Sequence, residues 1–224
     1  MDEAFHQQVI DYLRINSDSV VQHLVEHVWL ALVPVAIAFV LSLPLGWLAV
    51  RRPRLKSTML TVSSVLYTVP SLALILLIPL VVGTSILDPL NVVIALTIYS
   101  LALLVRTSTD GLEAVDPAVV QAAEAMGYRP ARRWLAVELP LSLPVVLAGL
   151  RVATVANVSM VSIAALVGIG GLGQLFTRGF QLGFYAPPIV IGLVLSVLLA
   201  VACDLLIVLG QRALTPWTRA RSAA

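Results

Sequence analysis

Few residues in this chain have the type and spacing to do chemistry. The three histidines, His6, His23 and His27, all precede residue 28, with no cysteine nearby. His23 and His27 stand four apart on a presumed helix, but two imidazoles without a third ligand do not make a metal site, and none is expected. The run GIGGLG, Gly168 to Gly173, has the G-x-G-x-x-G form of a dinucleotide-binding loop. That fingerprint requires a preceding strand and an acid about 20 residues further on. Here an apolar run precedes it and the next acid, Asp204, lies inside another apolar run. The glycines read instead as a turn or a close-packing element. A phosphate-binding loop needs a lysine directly after its last glycine, and the only lysine, Lys56, follows Leu55. The chain has no Walker-type ATP site, and no catalytic residue is expected.

The elements that must position any functional residue are membrane helices. Of the 224 residues, 59% are hydrophobic and only 12% charged, with a mean hydropathy of +0.99. Soluble domains carry about 25% charged residues, so a water-soluble protein is excluded. The single cysteine, Cys203, cannot form an intrachain disulfide and reads as a small packing residue. A helix needs about 20 apolar residues to cross the bilayer. Five stretches qualify: Val28 to Val50, Ser57 to Leu87 with a bend at Pro70, Pro89 to Val105 extending to about Thr109, Leu141 to about Val167, and Pro187 to about Gln211.

Lysine and arginine placement orients them. Arg51, Arg52, Arg54 and Lys56 follow the first span. Arg129, Arg132 and Arg133 lie between the third and fourth, and Arg212, Arg219 and Arg221 follow the fifth. The fold class expected is an all-α integral membrane protein of five transmembrane helices, N-terminus outside and C-terminus cytoplasmic. Its parts are an extracytoplasmic amphipathic segment 1–26, a permease domain 27–212 with a cytoplasmic loop 111–140, and a cytoplasmic tail 213–224. In the first of these, Phe5, Val9 and Leu13 recur at helical spacing, which suits a short helix on the membrane surface or a frayed tail. It opens with acids, unlike a secretory signal.

One polar segment interrupts the hydrocarbon: QAAEAMGYRPARRWLAVELP, Gln121 to Pro140. Just before it, Asp116-Pro117 is a favourable helix start. Val119, Ala122, Ala123 and Met126 form one apolar face, and Gly127 is a natural C-terminal stop. A second short helix starts at Pro130 and runs through Trp134 and Val137 until Pro140 approaches. Arg129, Arg132 and Arg133 suit anionic lipid on the inner leaflet, while the alanine-centred face suits insertion into a groove on another protein.

Here the sequence resembles the permease subunits of ATP-binding-cassette importers. Their cytoplasmic coupling loop carries E-A-A, three residues, G, nine residues, I-x-L-P. This chain has Gln121-Ala122-Ala123, Gly127 and Val137-Glu138-Leu139-Pro140 at those spacings, with glutamine for the leading glutamate and valine for isoleucine. Glu124, one turn on, is the candidate to substitute for the missing charge. HVWLALVPVAIAFVLSLPLGWLAVRRPRL, YTVPSLALILLIPLVVG, ALVGIGGLGQLFTRGF and DLLIVLGQRALTP extend the resemblance over roughly residues 27 to 217, to the osmoprotectant branch for glycine betaine, carnitine, choline and similar compounds.

The resemblance implies a type I importer core and several partners. These are a second permease, identical or paralogous, cytosolic ATPase subunits that carry ATP and Mg and grip the coupling loop, and an extracytoplasmic substrate-binding protein, all in membrane lipid. It implies no cofactor on this chain, and nothing suggests a nucleic-acid partner. The locale implied is a prokaryotic cytoplasmic (inner) membrane, crossed several times.

Two charges stand inside the spans. Arg151 and Asp204 lie at similar depth on the cytoplasmic side, and a charge there is paired or functional by default. They pair between the fourth and fifth spans, or Asp204 faces the cytoplasmic mouth, or Arg151 snorkels alone. A quaternary ammonium favours aromatic faces and neutral polar linings, so Tyr67, Tyr99, Asn157 and Ser159 are path candidates, with interfacial or packing roles as the alternative. A rival class is the ion-gradient-driven secondary transporter. It calls for paired acids deep in the membrane and repeated halves, and neither is visible. A non-transporting scaffold leaves the loop spacing unexplained.

Overall fold

The computed structural model describes residues 2–217, with side chains from residue 5 onward. Arg219 and Arg221 of the expected tail lie outside the described residues. All regular structure among the described residues is helical: α1 Asp2–Arg51, α2 Pro53–Thr68, α3 Ser71–Val82, α4 Pro89–Glu113, α5 Pro117–Ala125, α6 Pro130–Arg133, α7 Leu139–Ala164, α8 Gly173–Gln181 and α9 Ala186–Leu214. A π turn, Trp134–Glu138, joins α6 to α7, and a 3₁₀ turn, Ala165–Val167, ends α7.

Element α1 comprises two helices that meet at a kink, where Asn16 takes non-helical φ/ψ (φ −114°, ψ 18°). The Asn16 side chain donates to the Tyr12 carbonyl at 3.0 Å, which occupies the acceptor that the kink leaves open. Tyr12 and Val20 are buried with Leu172, Leu175 and Ile191, so one face of this stretch is packed within the unit, while Ile10, Ile15 and Val21 stay exposed.

Four helical stretches, in α1, α4, α6 through α7, and α9, are long and apolar enough to cross a membrane. The pair α2 and α3 makes a fifth when counted together. The break at Val69–Pro70 follows from proline, which has no N–H and pushes the preceding residue out of the α region. Pro70 itself sits at φ −59°, ψ 130°.

Pro140 does not stop a short helix, as the spacing had suggested. Residues 130–164 form one continuous helical run, and the chain absorbs the proline by changing register. The Leu139 N–H reaches the Trp134 carbonyl, five residues back, and this wider π turn accommodates the N–H that Pro140 cannot supply.

The chain forms two compact units. One comprises Met1–Val35, Val69–Thr97 and Thr154–Cys203; the other Ala36–Thr68, Ile98–Ala153 and Asp204–Ala224. In the first, the Gly168–Gly173 stretch is a tight packing element. A Cβ on Gly173 would stand 2.4 Å from the Ser162 carbonyl oxygen. The freed backbone of this stretch is satisfied by α1: the Gly171 N–H donates to Glu26 Oε2 at 3.1 Å, and the Leu172 N–H to His27 Nδ1 at 3.1 Å. The other ring nitrogen of buried His27 meets the Val158 carbonyl at 2.9 Å.

In the second unit α4 is gripped from two sides at small residues. A Cβ on Gly46 of α1 would lie 2.7 Å from Ser108 Cβ, and one on Gly149 of α7 2.5 Å from Thr107 Oγ1. Such small-residue contacts hold membrane helices together where no hydrophobic drive between them exists. Gly149→Val should therefore lower thermal stability in detergent by about 1–3 kcal/mol, the cost of overpacking. Gly210→Val, where a Cβ meets nothing within 4 Å, should leave it unchanged. Equal melting temperatures for the two variants would refute this packing.

Candidate functional site

The polar segment is built as a stiff corner. Asp116 caps α5, its side chain accepting from the Ala118 N–H at 2.8 Å, with Pro117 at the first helical position. Gly127 ends the helix in the left-handed region at φ 79°. The Gly127 N–H reaches the Glu124 carbonyl at 2.9 Å and the Tyr128 N–H the Ala123 carbonyl at 3.1 Å. These paired bonds are a Schellman closure, which favours glycine at this position.

Side chains then tie α5 to the helical run that follows. Arg133 forms ion pairs with both Glu124 and Glu138. The Arg133 and Glu138 side chains are only 12% and 10% exposed, whereas Glu124 is 58% exposed. Arg132 lies over the Tyr128 ring, 5.0 Å from its centroid. Trp134 stacks on Trp47 of α1 at 5.2 Å, and Arg51 covers the Trp47 ring at 4.7 Å. In the same unit Lys56 of α2 donates to both carboxylate oxygens of Glu113 in α4 at 2.6 and 2.7 Å.

This geometry bears on two readings of the segment. Glu124, the candidate for the charge missing at Gln121, is engaged by Arg133 within the chain and stays 58% exposed. The partly buried guanidinium needs carboxylate partners on both sides, and Glu124 is one of them. The apolar face is also divided. Ala123 is 1% exposed and belongs to this chain's own packing, while Met126 is 70% exposed. Gln121, Ala122, Arg129 and Arg132 are exposed as well, and Leu139 and Pro140 are half-buried in the continuous run.

The membrane-level residues fall into three groups. Arg151 and Asp204 meet in a two-pronged pair, Nε to Oδ1 at 2.7 Å and Nη2 to Oδ2 at 2.9 Å. A fork of this kind fixes geometry as well as charge, and neither Asp204 facing the mouth alone nor Arg151 snorkelling alone describes it. Tyr67 of α2 and Tyr99 of α4 meet edge to face at 5.9 Å. Tyr67 is exposed, whereas Tyr99 is buried and its hydroxyl has no hydrogen-bond partner among the described residues. Asn157 is buried and donates to the Ala31 carbonyl at 3.3 Å, which is a packing role. Ser159 is exposed, bonded to the Val155 carbonyl of its own helix.

Sequence reading missed Glu26, Trp47, Lys56 and Glu113 as partners. Glu26 and Glu113 are acids beside apolar runs, and that was their only available signal.

Two outcomes are expected. Arg133→Ala leaves the Glu138 carboxylate buried without its partner, at a cost on the order of a few kcal/mol, while Glu124→Gln costs less because Glu124 is largely solvated. Thermal unfolding of the two variants should rank them in that order, and the reverse order would overturn the bridge. In transport assays Arg151→Asp and Asp204→Arg should each impair function, and the double swap should recover much of it. A swap no better than either single variant would show that the pair does not act as one.

Known proteins place these features. Residues 38–219 match the family model described as binding-protein-dependent transport system inner membrane component. The glycine betaine/carnitine/choline transport system permease protein OpuCD of Bacillus subtilis is 33% identical over 210 residues, 94% of this chain and 90% of that protein. The osmoprotectant import permease protein OsmW of Salmonella typhimurium is 35% identical over 210 residues, 92% and 97% of the two chains. Among solved structures, an inward-facing MetNI methionine ABC transporter superposes with a TM-score of 0.79 at 25% identity, covering 87% of this chain and 95% of that one. With four helices long and apolar enough to cross a membrane, a broken fifth, and the family model matched over residues 38–219, this chain belongs to the family of binding-protein-dependent transport system inner membrane components.

Proposed function

We propose that this chain is the transmembrane permease subunit of an ATP-driven importer for osmoprotectants and related quaternary ammonium compounds. The observation that carries the solute class is the likeness to OpuCD and OsmW, at about a third identity over more than nine-tenths of the chain. Both are named for such solutes. The motor lies elsewhere, because the chain has no lysine positioned for a phosphate loop. ATP and Mg belong to cytosolic ATPase subunits, a substrate-binding protein delivers the solute from outside, and a second permease completes the path.

The corner at 116–140 suits the ATPase contact on physical grounds. A push on one end of a lever moves the other only if the lever is stiff, and switching between two states needs such an element. Helix α5 is capped at both ends and tied by Arg133 to a helical run that continues into the membrane without a break. Its free surface for docking is Gln121, Ala122 and Met126. Ala123 is turned inward.

The test is reconstitution with the ATPase and the binding protein, reading solute-stimulated ATP hydrolysis and uptake. Glycine betaine, carnitine or choline should stimulate both. Ala122→Asp and Met126→Asp lie on the exposed face, so they should leave the fold intact while weakening ATPase co-purification and uptake about tenfold or more, as expected when a charge is buried unpaired in an interface. Full retention of ATPase and uptake in both variants would refute the docking face. Stimulation by none of the three solutes would refute the solute class.

A further inference from the structure

A cavity of about 260 Å³ opens between α2 and α4, lined by Ser63, Ser64 and Tyr67 on one side and by Ala102, Leu103 and Arg106 on the other. Ser63 and Tyr67 are one helical turn apart on α2, and Ala102 and Arg106 one turn apart on α4, so each helix presents one face to it. Ala102 supplies the space. The volume is just under the about 300–1,000 Å³ of ligand pockets generally, which suits a small metabolite. Arg106 lies 17 residues after Pro89 in α4, about 25 Å along the helix.

The chemistry of the lining is uneven. Arg106 is exposed and makes no ion pair among the described residues, whereas Lys56, Arg133 and Arg151 of the same unit each hold a carboxylate. An arginine at membrane level without an acid of its own stands ready for an anionic group from elsewhere. Ser64 spends its proton on the Leu60 carbonyl at 2.9 Å. Ser63 has no hydrogen-bond partner among the described residues, so its hydroxyl is free to donate. Tyr67 is held edge to face by Tyr99, and an oriented ring is an attractive surface for a cation that cannot donate hydrogen bonds.

We propose that this cavity is a transit site for a zwitterion that carries both a carboxylate and a quaternary ammonium. Arg106 and Ser63 take the carboxylate, and the Tyr67 ring faces the ammonium. The site discriminates by repulsion as well as attraction: a cation that lacks a carboxylate meets the Arg106 charge with nothing to offset it. The permease thereby adds a selection of its own, for betaines and carnitine over choline, to whatever the binding protein has already chosen. This rests on the quaternary-ammonium reading above.

The experiment is ATP-driven uptake of radiolabelled glycine betaine and choline by the complete reconstituted transporter, with assembly checked by co-purification of the ATPase. The wild type should carry glycine betaine well and choline poorly. Arg106→Gln should lower glycine betaine uptake by on the order of ten- to a hundredfold, the loss of one charge-assisted contact, and narrow the gap to choline. Arg106→Lys should recover part of it. Tyr67→Leu should also lower glycine betaine uptake and Tyr67→Phe should not, a comparison that stands even where Arg106→Gln fails to assemble. Unchanged glycine betaine uptake in assembled Arg106→Gln, or in Tyr67→Leu, overturns the site. A wild type that carries choline as well as glycine betaine overturns the carboxylate selection but leaves the quaternary-ammonium reading standing. A wild type that carries neither overturns that reading and this site with it.

Discussion

Hydrocarbon offers no partner to a backbone N–H or carbonyl, and the rest of this structure follows from that constraint. Helices satisfy it internally, so the chain is helix wherever it can be, and each interruption must be repaired by another part of the molecule. At Gly168–Gly173 the repair comes from α1, with Glu26 accepting from the Gly171 N–H and His27 from the Leu172 N–H. Because His27 Nδ1 accepts, its proton sits on Nε2 and points at the Val158 carbonyl. The same imidazole thus closes two gaps while remaining neutral. At Pro140 the repair is internal, a change of helical register through the π turn. At Pro70 the helix breaks and starts again.

The corner at residues 116–140 solves a different problem. Nine residues are too few for a helix to stand alone in water, so α5 depends on its capped ends and on its neighbours. The Asp116 cap and the Schellman closure complete its ends, and Arg133 fixes its position against the run that follows. An exposed ion pair would contribute little. Arg133 is different because its guanidinium and the Glu138 carboxylate are both largely buried, so neither can lose the other cheaply. The Trp47–Trp134 stack adds a contact to α1 that involves no charge and is insensitive to salt.

Charges at membrane level fall into two kinds. Arg151 and Asp204 satisfy each other through a geometry that uses both carboxylate oxygens, and such a pair stabilises a particular helix contact. Arg106, on the wall of a cavity it shares with two serines and an oriented tyrosine, has no such partner among the described residues. A membrane protein keeps an uncompensated cation where water or a solute can reach it.

Much of this was legible in the sequence. Hydropathy over 20-residue windows located the crossings, Asp116-Pro117 and Gly127 bounded α5, and the E-A-A-like spacing pointed to the family, because caps, periodicity and turn glycines act within a few residues of themselves. The sequence could not say that Glu124 belongs to Arg133, that Ala123 turns inward while Met126 faces out, that Pro140 lies within a helix rather than at its end, or that Glu26 and His27 hold a glycine turn far along the chain. Those outcomes depend on which helix faces share a unit, and long-range pairing of partly buried polar groups leaves no local periodicity to read. Composition and spacing determined that this chain crosses a membrane and carries a polar corner with the family's spacing; only tertiary packing decided which of the corner's charges are spent holding it rigid and which remain free.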